Sequence, residues 1–148
     1  MQVEVDQSVK VEQSGDTTLA FSNNEQRVIL MPASVKREVL KYLRRQGKEY
    51  KAAILLMFTA GLFLLLRDVV ERATLIIIDR EYEGNDGLIK NRLLQMLQAD
   101  GTSVYAETFT FGYVGRQSQA HQLAITTKRR QRSPDHRVTL AEMIEVLK

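Results

Sequence analysis

Hydrophobic and polar residues alternate with a period of two along the first 32 residues of the chain. Turn-forming residues divide this region into three predicted strands, at about 1–11, 17–21 and 27–31. The first strand carries valines on one face and polar residues, Asp6 among them, on the other. Short turns between the strands predict an antiparallel three-strand meander.

Helical spacing of apolar residues begins after Pro32. Ser34 is placed to cap a first helix, which ends before Gly47, and a second helix is predicted from about Tyr50 to Arg72. Residues 52–66 of that helix contain no charge. A membrane-spanning helix needs about 20 such residues, so we predict a buried core helix and no membrane contact. A membrane-attached protein that uses residues 54–66 is the competing interpretation.

The second half of the chain predicts alternating strands and helices. The segments are a strand at 74–79, a helix between about 86 and 100, a strand at 103–111, a helix from about 118 to 131 and a final helix that Thr139 and Glu142 open with a capping box. No internal repeat is present. We expect one α/β domain, residues 1–148.

Composition excludes several kinds of site. The chain has no cysteine and only two histidines, so neither a disulfide framework nor a thiolate or histidine-rich zinc site is expected. It also lacks a phosphate-binding loop with lysine, a Gly-x-Ser-x-Gly elbow and a dinucleotide fingerprint. Any bound metal ion would have mainly oxygen ligands, which favours Mg²⁺ or Mn²⁺.

Positive charge is concentrated in two segments, although the net charge is only +3. One is 36–51. The other contains the dense cluster Lys128, Arg129, Arg130 and Arg132. Such clusters indicate an anionic polymer as partner, and nucleic acid is the expected one. The alternative is a solvated helix end whose basic residues interact favourably with the helix dipole.

Candidate chemistry lies at a strand end. Asp79 closes the most apolar predicted strand, and Glu81, Glu83 and Asp86 follow it. Asp6 lies on the first predicted strand, so two carboxylates could meet on neighbouring strands and hold a divalent ion. The alternatives are that Asp6 belongs to a solvated strand face and that Asp79 is a turn residue.

Three antiparallel strands, a helix, and two more strands separated by a helix form an element order that resembles the ribonuclease H-like superfamily. The resemblance implies a mixed five-stranded sheet, three antiparallel strands and then two further strands, flanked by helices. It also implies that Asp6 and Asp79 match the first two catalytic, metal-binding aspartates and that His121 matches the third ligand. A solvated or packing histidine is the alternative for His121, and Asp135, Glu81 and Glu83 are other candidates for the third ligand.

The expected function is therefore Mg²⁺- or Mn²⁺-dependent hydrolysis of nucleic-acid phosphodiester bonds. Asp6, Asp79 and His121 would form the catalytic site, and the basic cluster at 128–132 would contact phosphates. The competing interpretation is a non-catalytic binding or assembly module of the same fold. We also expect a cytoplasmic protein and a possible homodimer, with Met57, Phe58, Leu62 and Phe63 available for a dimer interface.

Overall fold

The computed structural model describes residues 1–148 as one mixed sheet of six strands with five α-helices. The strands are β1 (Gln2–Ser8), β2 (Thr17–Ser22), β3 (Gln26–Met31), β4 (Leu75–Asp79), β5 (Phe109–Gly112) and β6 (His136–Arg137). The helices are α1 (Ala33–Arg45), α2 (Tyr50–Leu66), α3 (Asp86–Ala99), α4 (Gln119–Lys128) and α5 (Leu140–Leu147). The predicted α/β class with a mixed sheet and an antiparallel β1–β2–β3 meander is confirmed.

The strands lie in the order β5-β4-β1-β2-β3-β6. β4 runs parallel to both β1 and β5, whereas β2 is antiparallel to both of its neighbours. The prediction of five strands is wrong, because β6 pairs in parallel with β3 as a sixth. A two-residue strand is too short to produce an alternating pattern, so the sequence gives no signal for it.

The larger core lies on one face of the sheet. Alternate side chains of the strands, such as Val3, Leu19 and Ile76, are buried there against α1, α2, α3 and α5. The opposite face is covered by α4, and a smaller cluster of Ala20, Val28 and Ala124 joins it to the sheet. Because successive strand residues point to opposite faces, Asp6 lies on the α4 side, between the core valine Val5 and Gln7.

Helix α2 is the centre of the larger core, as its uncharged sequence predicts. Gly61 permits its close approach to the sheet, since a Cβ atom at this position would lie 2.7 Å from Cδ1 of Leu19. The residues proposed above for a dimer interface, from Met57 to Phe63, are at most 4% exposed, so that assignment is wrong for these side chains. None of the helices has the length and apolar character required to cross a membrane.

Several predicted boundaries change for local reasons, the largest at β5, which begins at Phe109 and not at 103 because residues 106–108 form a 3-10 turn. β1 ends at Ser8 because Val9 has a φ of 66°, which breaks the extended conformation. α2 ends at Leu66, and residues 70–72 form a separate 3-10 turn. Ser34 is not a cap: α1 begins at Ala33, whose amide donates instead to Oδ1 of Asp16, 2.9 Å away.

Candidate functional site

The register between β1 and β4 brings Asp6 and Asp79 together. The two strands are parallel, and Val5 is paired with Ile78, so the next residue on each strand is an aspartate. Both aspartates point to the α4 face of the sheet. Their carboxylate oxygens lie within 4.8 Å of each other and of a carboxylate oxygen of Glu81. The structure therefore gathers three acids at the end of two central strands.

Each aspartate is held by a backbone amide. The amide of Gln7 donates to Oδ1 of Asp6 at 2.8 Å, and the amide of Val114 donates to Oδ1 of Asp79 at 2.7 Å. Val114 belongs to the loop that follows β5. Asp79 therefore holds this loop at the end of β4. The same hydrogen bond orients the Asp79 carboxylate in the absence of a ligand.

His121 contacts Asp6 from helix α4. It lies in the first turn of α4, where the side chain of Ser118 caps the helix by accepting a hydrogen bond from the amide of Ala120. Its Nδ1 lies 2.7 Å from Oδ2 of Asp6. Asp6 itself is only 4% exposed, whereas the imidazole is 25% exposed. The histidine thus connects a buried carboxylate to the surface.

The environment favours the protonated forms of two of these acids. Burial raises the pKa of Asp6 to about 6, and the charge of Asp79 adds to the rise, while the hydrogen bond with His121 opposes it. Burial and a hydrogen bond with Asp79 raise the pKa of Glu81 to about 8, and the charges of Asp79 and Asp6 contribute further. Repulsion among the carboxylates is therefore only partly offset, by Lys10 near Glu81 and by His121 at Asp6.

This donor set suits a hard divalent cation. The three acids offer only oxygen ligands, which Mg²⁺ and Mn²⁺ prefer. A cation between them would also offset the repulsion that raises the two pKa values. Asp6, Asp79 and Glu81 are therefore the residues that could hold such an ion, with His121 in contact with one of them.

Two other candidates for the third ligand lie elsewhere. Glu83 is exposed and accepts a hydrogen bond from the hydroxyl of Tyr113 at 2.8 Å. Asp135 contacts β3: its Oδ2 accepts from the amide of Val28 at 2.8 Å, and Val28 is two strands from Asp6. At the usual strand spacing that separation is about 10 Å, too far to share an ion. The reserve assignment of Asp135 is therefore wrong.

The basic cluster follows the site along α4. Lys128, Arg129 and Arg130 are exposed at the end of the helix and form no ion pair, whereas Arg132 lies 3.8 Å from Asp135. At about 1.5 Å per residue, Lys128 is roughly 10 Å beyond His121 along the helix axis. The same helix therefore connects the acidic cluster to three free cationic side chains.

Two neighbours of the acids were not expected from the sequence. The Nζ atom of Lys10 donates to the backbone carbonyl of Glu81 at 3.2 Å. Tyr113 is 73% exposed in the loop that Asp79 holds. The signal for Tyr113 was an aromatic residue between Gly112 and Gly115, immediately after a predicted strand. A lysine on the polar side of a predicted strand gave no comparable signal.

Comparison with known proteins found no matching family model, no similar curated protein and no similar solved structure.

Proposed function

We propose that this chain has a ribonuclease H-like fold and hydrolyses phosphodiester bonds of nucleic acid with Mg²⁺ or Mn²⁺. The element order of the chain supports the fold assignment, because three antiparallel strands precede two strands that are separated by a helix. The position of the acids supports it as well. Asp6 lies on the first strand, Asp79 ends the fourth, and His121 is on the helix after the fifth.

One observation carries the proposal of hydrolysis: oxygens of Asp6, Asp79 and Glu81 lie within 4.8 Å of one another at the end of two central parallel strands. Structural carboxylates usually have cationic or hydrogen-bonding partners that compensate their charge. Here the two aspartates have hydrogen-bond partners, but none of the three carboxylates forms an ion pair with a lysine or arginine, and the only side chain that hydrogen-bonds to Asp6 is His121. Such an arrangement costs stability, which supports a role in binding a cation.

Asp6, Asp79 and Glu81 would hold the ion. When bound, a divalent ion supplies charge neutralisation at the phosphoryl oxygens and activates water at neutral pH. The Gln7 and Val114 amides keep the two aspartates oriented, so little reorganisation is needed when substrate binds. Glu81, whose backbone carbonyl accepts a hydrogen bond from Lys10, would be the third ligand.

His121 positions Asp6 and can also move a proton. With a proton on Nδ1, the ring donates to Oδ2 of Asp6, and this interaction leaves Nε2 without a hydrogen bond in a partly exposed side chain. In this tautomer Nε2 can accept a proton from water or return one to a leaving oxygen. The acidic partner on Nδ1 favours that tautomer, as it does in other carboxylate–histidine pairs.

The substrate assignment is supported by charge. A phosphodiester substrate needs cationic side chains outside the site, because the acidic cluster itself repels phosphate until a cation is bound. Lys128, Arg129 and Arg130 provide such side chains at the C-terminal end of the helix that carries His121. These side chains would contact the phosphate backbone of the nucleic acid, so they would not distinguish one base sequence from another.

The test is a cleavage assay with end-labelled DNA and RNA, each as single strands, duplexes and branched junctions, in Mg²⁺, Mn²⁺ or EDTA. Wild type is compared with Asp79→Asn and with Glu4→Gln, which removes a charge from the same strand and the same face as Asp6 but outside the cluster. We expect cleavage only with metal, a loss of at least about 100-fold in Asp79→Asn, and near wild-type activity in Glu4→Gln.

Calorimetric titration of the same three proteins with Mg²⁺ and Mn²⁺ separates binding from catalysis. Metal binding that Asp79→Asn abolishes and Glu4→Gln retains would agree with the proposal. If wild type binds oligonucleotides without metal, takes up no metal at millimolar concentration and cleaves nothing, hydrolysis is rejected. The protein is then the non-catalytic binding module described above.

A further inference from the structure

Tyr113 is an exposed aromatic side chain that the protein nevertheless holds in place. Its ring is 73% exposed. Its hydroxyl donates to Oε1 of Glu83 at 2.8 Å, and the guanidinium of Arg80 lies 5.5 Å from the ring centroid. These two contacts restrict the rotation of the side chain, which is otherwise free at such an exposed position. The ring is therefore presented to solvent in a defined orientation.

The support beneath the ring is itself fixed. The Nε atom of Arg80 donates to Oδ2 of Asp86 at 2.8 Å, and its Nη2 reaches the carbonyl of Phe111 at 3.4 Å. The guanidinium thus connects α3 to β5 while it contacts the tyrosine. Because the arginine and the tyrosine are ordered before a ligand arrives, stacking on the ring costs little side-chain entropy.

The ring lies at the same edge of the sheet as the acidic cluster. Tyr113 directly precedes Val114, whose amide holds Asp79. Farther along the same loop, Arg116 is exposed and forms no ion pair, and its carbonyl accepts a hydrogen bond from Gln122 of α4 at 2.9 Å. An oriented aromatic face, a free cation and the carboxylates therefore share one short segment of the surface.

We infer that Tyr113 stacks on the base of an unpaired nucleotide next to the scissile phosphate. This inference rests on the proposed function and specifies its substrate class: single strands, or structures with unpaired nucleotides. A base in a duplex has both faces covered by its neighbours, whereas an unpaired base can stack on an aromatic side chain. Stacking accepts any base, because every base has an aromatic face.

The test measures binding without cleavage. Each variant is made in the Asp79→Asn protein, which lacks one of the charges that repel phosphate, and is titrated in EDTA against fluorescein-labelled single-stranded DNA, single-stranded RNA and a duplex of the same sequence, with anisotropy as the readout. Tyr113→Ala removes the ring, and Tyr113→Phe keeps it. Tyr105→Ala is the matched control, because Tyr105 is 77% exposed, precedes β5 at its other end, and its hydroxyl makes no hydrogen bond.

We expect Tyr113→Ala to weaken single-strand binding by about 5- to 100-fold, the range that stacking of one base provides. Tyr113→Phe and Tyr105→Ala should stay within about twofold of the parent. In a series of oligonucleotides, one abasic site is placed at each position in turn. We expect one of these positions to weaken binding to the Asp79→Asn parent protein. The same oligonucleotide should bind Tyr113→Ala as well as the intact one does. A difference in affinity between single-stranded DNA and single-stranded RNA would show which sugar the site prefers.

Three results would overturn the inference: equal binding by Tyr113→Ala and the parent, equal affinity for duplex and single strand, or no binding of any oligonucleotide. The proposed hydrolysis is decided separately by the cleavage assay on the protein that retains Asp79. Stacking can therefore fail while hydrolysis stands. Conversely, a Tyr113-dependent binding protein without cleavage would retain stacking and reject hydrolysis.

Discussion

The Nδ1 atom of His121 lies 2.7 Å from Oδ2 of Asp6, across a sequence separation of 115 residues. The contact joins the first strand to the helix that covers it, and it places an imidazole against a buried carboxylate. Since the hydrogen bond lowers the pKa of Asp6 against the effect of burial, the histidine helps to keep that carboxylate ionised. An ionised Asp6 is the form that can bind a cation.

Replacement of His121 should therefore weaken metal binding. In His121→Ala, Asp6 loses the partner that opposes the rise in its pKa, so protons compete better with Mg²⁺ for the carboxylate. We expect an affinity loss of about 10- to 100-fold, as for other partners of metal ligands, and a larger loss at pH 6 than at pH 8. Calorimetry at both pH values measures it. The control is Gln119→Ala, an exposed residue in the same helical turn; an unchanged affinity in His121→Ala would contradict the prediction.

The acidic cluster should make the metal-free protein less stable as the pH rises. The folded-state pKa values of Asp6 and Glu81, about 6 and about 8, are above their ordinary values of 3.8 and 4.5. Between roughly pH 5 and pH 8 the folded protein binds more protons than the unfolded chain, so the free energy of unfolding decreases with pH. We expect a decrease on the order of 1 kcal/mol, after allowance for solvent screening around Glu81.

Urea unfolding in EDTA at pH 5, 6, 7 and 8 checks this prediction. Glu81→Gln should flatten the upper part of the pH profile, because it removes the group with the highest carboxyl pKa, whereas Glu4→Gln should leave the profile unchanged. Mg²⁺ should stabilise the protein most at pH 8, where the ligands are deprotonated. A wild-type profile that rises between pH 5 and pH 8 in EDTA would be inconsistent with the repulsion described here.

Packing beneath the site provides a test that is independent of function. At Gly61 an added methyl group would lie 2.7 Å from Cδ1 of Leu19 and 3.1 Å from Cε of Met31, whereas Gly87 of α3 has no atom within 4 Å of that position. We expect Gly61→Ala to lower the free energy of unfolding by about 1 kcal/mol, since overpacking outweighs the gain in helix propensity. Gly87→Ala should raise it by up to about 1 kcal/mol. Urea denaturation of both variants would contradict the interpretation if Gly61→Ala proved the more stable.

The sequence predicts the positions of Asp6 and Asp79 because both lie on strands, where alternation fixes the face and pairing fixes the neighbour. Glu81 could not be distinguished from Glu83 in this way. Both follow the end of β4, and beyond a strand the direction of a side chain depends on the turn rather than on alternation. The turn directs Glu81 into the cluster and leaves Glu83 to accept the hydrogen bond of Tyr113.

The roles of Asp135 and β6 depend on contacts between residues that are far apart in the sequence. A Ser-Pro-Asp sequence indicates a hinge, and nothing local shows that its aspartate will accept the amide of Val28. That contact, together with the parallel pairing of His136 with Ile29, extends the sheet by one strand. Long-range pairings of this kind depend on which edge of the sheet is free, and local patterns contain no such information.

The basic cluster at the end of α4 should contribute a salt-dependent part of nucleic-acid binding. We expect the triple variant Lys128→Gln, Arg129→Gln, Arg130→Gln to reduce the slope of log affinity against log salt by about 2 for a single strand, since each lost phosphate contact removes about 0.7. The matched control replaces Arg44, Arg45 and Lys48, three exposed cations at the end of α1 and in the loop before α2, on the opposite face of the sheet. Anisotropy titrations between low and physiological salt measure both slopes. If the control triple lost the salt dependence and the α4 triple retained it, the nucleic acid would lie on the α1–α2 face, away from Asp6 and Asp79, and the acidic cluster would have no access to phosphodiester bonds.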